Sequence, residues 1–263
     1  MYTIVYCNHI RFDPNKIGHR VKASHISQLD KAIMGLRSMV MAGEFTQGQR
    51  LPEVAISERL GLSRTPLRQA MDRLVNEGLL ERVETGGCRM ATFTIQDIAD
   101  AIDLRGVVEG AAARMAAERG ADPDLIARAN DALAQIDLAL MAKAGIDFDL
   151  YIQQNALFHT LLAQLSGSPL LIREVARVAM LPFASPSAFL SDQTAFLDFQ
   201  DSLRYAQRQH RAIMEAIVNR EGARAEAITR EHARLVLINL NYLNAYKDLS
   251  HRLVPGMVLV SPD

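Results

Sequence analysis

The stretch LGLSRTPLRQAMDRLVNEGLL, residues 60–80, decides how this chain is organised. Gly61 closes one helical pattern and Ser63 opens the next, with only Leu62 between them. A turn this short sets two helices at a steep angle. Ser63 takes the N-cap position, and Pro66 falls in the first turn, where a missing N–H costs little. Leu67, Ala70, Met71, Leu74 and Val75 recur at three- and four-residue steps and share one face; Gly78 stops the helix. The exposed start of that helix carries Arg64, Thr65 and Arg68 beside backbone N–H groups that have no partner within the helix. This combination suits a phosphate backbone at a groove edge and base edges within the groove. Ser63, Arg64, Thr65, Pro66 and Arg68 are therefore candidate DNA contacts.

Outward from this stretch the pattern completes a unit. Upstream, the spacing predicts a helix from Ser24, with Ile26, Leu29, Ile33, Leu36, Met39 and Val40 on one face and Gly43 at its end. A loop, FTQGQRLPE, leads to a short helix from about Pro52 to Leu60. Downstream, LLERVETGGCRMATF reads as two short strands around a Gly86-Gly87 turn. Helix, short helix, tight turn, helix and hairpin make a winged helix-turn-helix over residues 23–95. Residues 1–22 lack a clean period, contain Pro14 and Gly18, and read as an irregular arm.

The run GQRLPEVAISERLGLSRTPLRQAMDRLVNEGLLERVETGG, residues 48–87, is similar to the DNA-binding domain of the GntR superfamily of bacterial transcription regulators. The resemblance places Arg64, Thr65 and Arg68 on the recognition helix and Arg50 near the DNA backbone. It places Gly87 at a wing tip that enters the minor groove. Many such proteins have a DNA-contacting arginine where this chain has Val54, so that contact is missing here.

After Phe93 the chain reads as helix. Thr94 and Asp97 form a capping-box entry, and breakers divide the rest into about six helices: 96–119, 124–143, 147–165, 169–184, 190–219 and 223–247. The expected architecture is mainly α, with the winged domain followed by an antiparallel all-α bundle over residues 96–250. Residues 251–263 form an irregular tail.

Three of the seven histidines lie in this bundle at telling positions. Asn155 and His159 are one helical turn apart and share a face. His210 and His232 each lie 11 residues from Glu221, so a turn there brings them to the same height on two antiparallel helices. If all point inward, three imidazole nitrogens and an amide oxygen meet in a set that suits Zn²⁺, Ni²⁺, Mn²⁺ or Fe²⁺. LRGVVEG (104–110), NALFH (155–159), QHRAIMEAI (209–217) and EHA (231–233) resemble the FCD effector domain of the FadR-type branch of the same superfamily. That resemblance implies metal ligands at Asn155, His159, His210 and His232. Four neutral ligands leave the ion's charge uncompensated, so an organic carboxylate is the expected effector. Arg105 either holds the far end of that ligand or pairs with Asp103 or Glu109 on its own helix.

Composition sets the frame. The chain has 263 residues, 49% apolar and 22% charged, with two cysteines and a net charge of −1. This is a globular composition, without the cysteine density of a disulfide framework, a secretory signal pattern or an apolar run of ~18–20 residues. The expectation is a cytoplasmic protein without a membrane partner. The charge is uneven: residues 1–95 carry 13 Lys+Arg against 9 Asp+Glu, whereas residues 96–263 carry 16 against 21. A basic head on an acidic bundle fits a nucleic-acid partner for the head alone.

The expected function is a homodimeric regulator of a palindromic double-stranded DNA operator, in which a small organic acid near a metal alters DNA affinity. Two alternatives stand beside it: a metalloregulator sensing the ion itself, and a metal-dependent hydrolase or lyase with an accessory DNA-binding domain. No carboxylate neighbours the ligands in sequence as a ready general base, and Glu231 points about 100° away from His232 around its helix. No enzyme activity is therefore expected.

Overall fold

Helix α1 spans Gln28–Met41 and is capped by Ser27, whose Oγ accepts the Asp30 N–H at 3.0 Å. This cap starts the helix after Ser24, where its apolar period first appears. The computed structural model describes residues 27–142, 145–182, 184–186, 197–245 and 260. The expected arm at 1–22, and the tail at 251–263 apart from Val260, lie outside the described residues. The chain divides into two compact units, which part between Phe93 and Thr94.

In the N-terminal unit, α2 (Glu53–Leu60) ends at Gly61, whose φ of 63° is the left-handed conformation that stops a helix at low steric cost. Helix α3 (Arg64–Asn76) follows, with Ser63 at the N-cap position. The Ser63 side chain makes no capping hydrogen bond there, so the expected cap is one of position only. Strands β1 (Leu80–Arg82) and β2 (Cys88–Met90) pair antiparallel, with Leu80 opposite Met90. Gly86 and Gly87 turn the chain between them with φ of 92° and 78°. Leu36 and Val40 of α1, Ile56 of α2, Leu67, Ala70, Met71 and Leu74 of α3, and Leu80 and Met90 of the hairpin are buried and form the core of this unit. Burial of each large apolar side chain contributes about 1.5–3 kcal/mol.

The second unit begins with a capping box. The Thr94 Oγ1 accepts the Asp97 N–H at 3.1 Å, and an Asp97 oxygen accepts the Thr94 N–H at 2.8 Å. They start α4 (Ile95–Arg119), followed by α5 (Pro123–Leu140), α6 (Phe148–Leu165), α7 (Pro169–Val178), α8 (Leu197–Val218) and α9 (Gly222–Ala245). Leu133, Ile136, Phe158, Leu161, Leu162 and Ile213 form the core between α5, α6 and α8. Helices α4 and α9 approach closely because Gly106 and Gly110 present no side chain. A Cβ on Gly106 would lie 2.9 Å from the Cβ of Ala233.

Two expected boundaries are corrected. The helix predicted over 169–184 ends at Val178. Pro182 has no N–H to donate to the Val178 carbonyl, and the last turn tightens, with Met180 N–H donating to Arg177 O and Leu181 N–H to Val178 O. The helix predicted to reach 143 ends at Leu140. Helix α8 starts at Leu197; residues 190–196 of the predicted helix, and 246–247 of the last one, lie outside the described residues.

Candidate functional site

The α8–α9 hairpin and α6 bring His159, His210 and His232 together, all three buried. Nε2 of His232 lies 3.0 Å from Nε2 of His210 and 3.4 Å from Nε2 of His159. The other ring nitrogen of each is tied to an oxygen. His159 Nδ1 is 3.1 Å from Oε1 of Glu109 on α4. His210 Nδ1 is 3.1 Å from Oε1 of Gln207. The Gln207 amide nitrogen donates to Leu133 O at 2.9 Å and to Asp137 Oδ1 at 2.7 Å, so Oε1 is the end left to accept. His232 Nδ1 is 3.3 Å from Oε1 of Gln209, whose amide nitrogen donates to Glu231 Oε1 at 3.0 Å.

These partners assign a proton to each Nδ1 and leave an acceptor lone pair on each Nε2. Burial pushes His210 and His232 well below the ordinary imidazole range, and the neighbouring positive groups push further in the same direction. His210 and His232 are therefore neutral, and their Nε2 lone pairs face one another beside Nε2 of His159. This arrangement is repulsive without a cation among them and favourable with one. The 3.0 and 3.4 Å separations are those of neighbouring ligands about 2.0–2.1 Å from one centre. The donor set thus fits a divalent transition metal.

Asn155, also buried, donates its amide Nδ2 to Pro186 O at 3.3 Å. It lines a small cavity of about 30 Å³ together with Arg105, Tyr151, Ser202 and His232. That volume holds a water or two.

Arg105 is buried, with its Nη2 donating to Ala233 O at 3.3 Å. Its Nη1 lies 3.8 Å from Glu109 Oε2. Among the described residues, Arg105 Nε and Nη1 and Glu109 Oε2 have no hydrogen-bond partner. Asp103, the other partner considered for Arg105, instead pairs with Arg234 at 2.8 Å. Burial would raise the Glu109 carboxyl, but the His159 ring beside it and then the Arg105 guanidinium outweigh it and hold the group below the usual carboxylate range. Glu109 thus joins a histidine of the cluster to a half-satisfied guanidinium.

The orienting residues Glu109, Gln207 and Gln209 were missed as site residues by sequence reasoning. Gln207 sits three residues before His210, on the same helical face, and that spacing was its only sequence signal.

In the N-terminal unit, Ser63, Arg64, Thr65 and Arg68 are exposed at the start of α3, and Pro66 is half-buried. Arg68 donates its Nε to Glu53 Oε2 at 2.9 Å. Arg50 reaches the Gly86 carbonyl, and its Nη2 lies 3.4 Å from Thr85 O, so its guanidinium sits against the hairpin turn that holds Gly87. Val54 is half exposed on α2. Among the described residues, no helix is long and apolar enough to cross a membrane.

Residues 30–90 match the family model described as bacterial regulatory proteins, gntR family, and residues 100–235 match the FCD domain. The chain is 27% identical over 201 residues to the HTH-type transcriptional repressor GlaR of Escherichia coli, covering 75% of this chain and 88% of that protein. It is 29% identical over 195 residues to the Nta operon transcriptional regulator of Aminobacter aminovorans, covering 74% and 85%. The solved structure of E. coli McbR/YncC superposes with a TM-score of 0.60 at 18% identity, covering 85% of this chain and 99% of that one. The matched families and relatives are transcription regulators rather than enzymes. With the winged reading unit followed by the FCD bundle, the chain belongs to the FadR-type branch of the GntR family of DNA-binding transcription regulators.

Proposed function

We propose that this regulator is a cytoplasmic homodimer whose operator affinity is set by a divalent metal and a small organic carboxylate in the helical unit. Residues 23–95 form the DNA-binding domain and 96–250 the sensing domain. Asn155, His159, His210 and His232 would hold the ion, which is Zn²⁺, Ni²⁺, Mn²⁺ or Fe²⁺. The observation that carries the reading is the convergence of three Nε2 atoms whose opposite ring nitrogens are each tied to an oxygen. A divalent ion there supplies open coordination positions for an anion.

The chain's own groups do the rest. Glu109, Gln207 and Gln209 fix the ring orientations. Arg105 offers N–H groups on Nε and on Nη1, on different sides of its guanidinium, each without a hydrogen-bond partner among the described residues, as single anchors for a carboxylate. In the N-terminal unit, Arg64, Thr65 and Arg68, with Ser63 and Pro66 in the same turn, face the major groove. Arg50 lies by the phosphate backbone and Gly87 at the minor groove. Two heads spaced by about one helical turn read a palindromic operator. A coupling of about 1–3 kcal/mol between sensing site and heads suffices to switch it.

One observation favours a second reading. The three histidines offer ligand atoms that all lie within 4.8 Å of one another, a donor set that needs only the ion, which suits a regulator that senses the ion itself. Operator affinity of the full-length protein separates the two. It is to be measured after chelation, after reloading with each ion, and with a panel of two- to four-carbon carboxylates. A shift of fivefold or more that needs both ion and carboxylate supports the first reading, and one that follows the ion alone supports the second. Indifference to both overturns the two together.

A further inference from the structure

Residues 27–93 contain nine Lys+Arg and eight Asp+Glu, so the N-terminal unit has little net charge to spend on phosphates. Most of its arginines are already engaged. Arg37 and Arg73 pair with Glu77, Arg59 with Glu44, Arg82 with Asp72 and Arg89 with Glu81. Arg64, at the first position of α3, makes no ion pair among the described residues and is free to meet a phosphate.

Arg68 is different from both groups. It is one turn further along α3, and its side chain is 66% exposed although its Nε is tied to Glu53 Oε2 at 2.9 Å. An Nε-edge bond uses one side of the guanidinium and leaves the two Nη groups pointing onward, in the fork that matches O6 and N7 of guanine. Glu53 is only 20% exposed and is the first residue of α2. Its other oxygen, Oε1, would lie 3.5 Å from a Cβ placed on Gly87, and the Arg50 guanidinium is 3.9 Å from the same point. One carboxylate therefore stands where α2, α3 and the hairpin turn meet. An exposed ion pair is worth about 0–1 kcal/mol of stability, too little for stability to be its main consequence. What it does set is the rotamer of Arg68 and the cancellation of its charge toward phosphates.

We propose that Glu53 is a specificity-determining positioning residue. It buttresses Arg68 so that the guanidinium reads a guanine in each half-site rather than serving as a mobile phosphate contact. The proposal rests on Arg68 facing DNA, so its test must be able to fail separately from that assumption.

The test selects binding sites from a randomised duplex pool with full-length wild type, Glu53→Gln, Glu53→Asp and Arg68→Ala, each checked for an unchanged melting temperature. In Glu53→Gln, preference for guanine at one half-site position falls by tenfold or more while other positions keep theirs. Binding to non-specific duplex strengthens, and the slope of log affinity against log salt steepens by up to about 0.9 per head, because Arg68 is released to phosphates. Glu53→Asp restores part of the preference. An unchanged profile in Glu53→Gln, with a single lost position in Arg68→Ala, overturns the buttress and leaves Arg68 as a reader. Unchanged profiles in both overturn the buttress and the placement of Arg68 at DNA together. Loss of preference at every position in Glu53→Gln also overturns the proposal, since it marks disruption of the whole head.

Discussion

His210 and His232, each 11 residues from Glu221, meet across the α8–α9 hairpin with their Nε2 atoms 3.0 Å apart. Neither ring is charged, because burial disfavours the imidazolium. The contact therefore opposes two acceptors, with the third, His159, 3.4 Å from His232. A cation that converts this opposition into coordination must stabilise the folded unit. At a hundredfold excess over its dissociation constant the gain is about 2.7 kcal/mol, or about 5–10 °C in Tm. Thermal melts with and without chelator, then with each of the four ions, test it. The shift disappears in His232→Ala. No shift with any ion in the wild type would sink the metal reading.

Gln209 tests the orienting layer without replacing a ligand. Its Oε1 accepts from His232 Nδ1, and its amide is anchored to Glu231, which also accepts the Tyr205 hydroxyl at 3.1 Å. Gln209→Leu keeps the volume and removes the acceptor. Metal affinity should fall about 10–100-fold while helix content is retained. Isothermal titration with Zn²⁺ reads the change, and an unaltered affinity would remove Gln209 from the site.

How far the sequence was readable differs between these layers. The meeting of the histidines follows from equal distances to one turn, a relation between positions in a single hairpin. The winged unit was readable because glycines sit where the apolar periods stop, as at Gly61 and Gly78. The end of α7 was not, since the apolar period runs on past Val178 and Pro182 overrides it from four residues ahead. Gln209 was invisible for a further reason. A glutamine in a helix reads as solvent-facing, and only the packing of α8 on α9 shows that it reaches a residue 23 positions away. The pairing of Glu109 with His159, 50 positions apart on α4 and α6, is hidden in the same way.

Val54 offers a gain of function in the reading unit. It is 50% exposed one residue after Glu53, at a place where many regulators resembling this one carry an arginine. Val54→Arg adds a cation without burying it, so stability should change by less than about 0.5 kcal/mol. DNA affinity should rise, and the salt slope should steepen by about 0.9 for each head that gains a phosphate contact. Anisotropy titrations at several salt concentrations measure both. An unchanged slope means that position 54 faces away from DNA.

The α4–α9 contact is set by Gly106. In Gly106→Ala the new methyl would stand 2.9 Å from the Cβ of Ala233, which is short and cannot swing aside. Overpacking costs about 1–3 kcal/mol, and the better helix propensity of alanine returns about 0.5–1. The net loss is about 0–2.5 kcal/mol. Because Ala233 adjoins His232, metal affinity should fall as well. Ala233→Gly in the same chain reopens the space and should recover the affinity. Denaturant melts and zinc titrations on the single and double variants decide it; failure of the second substitution to rescue would mean that another contact sets the spacing.

Asn155→Asp separates charge from geometry at the candidate metal centre. In the protein as folded, the Asn155 amide donates to Pro186 O at 3.3 Å. A carboxylate there loses that donor and faces a carbonyl, so the metal-free protein should become less stable by about 1–3 kcal/mol. With a divalent ion present the sign reverses. The added negative charge offsets one unit of the ion's charge, and metal affinity should rise. The same neutralisation weakens the attraction for an incoming carboxylate, whose remaining anchors are the unfilled N–H groups of Arg105. Chelated melts, zinc titration and carboxylate titration of the loaded protein should therefore move down, up and down respectively. Tighter carboxylate binding in the variant would show that shape, rather than uncompensated charge, selects the ligand.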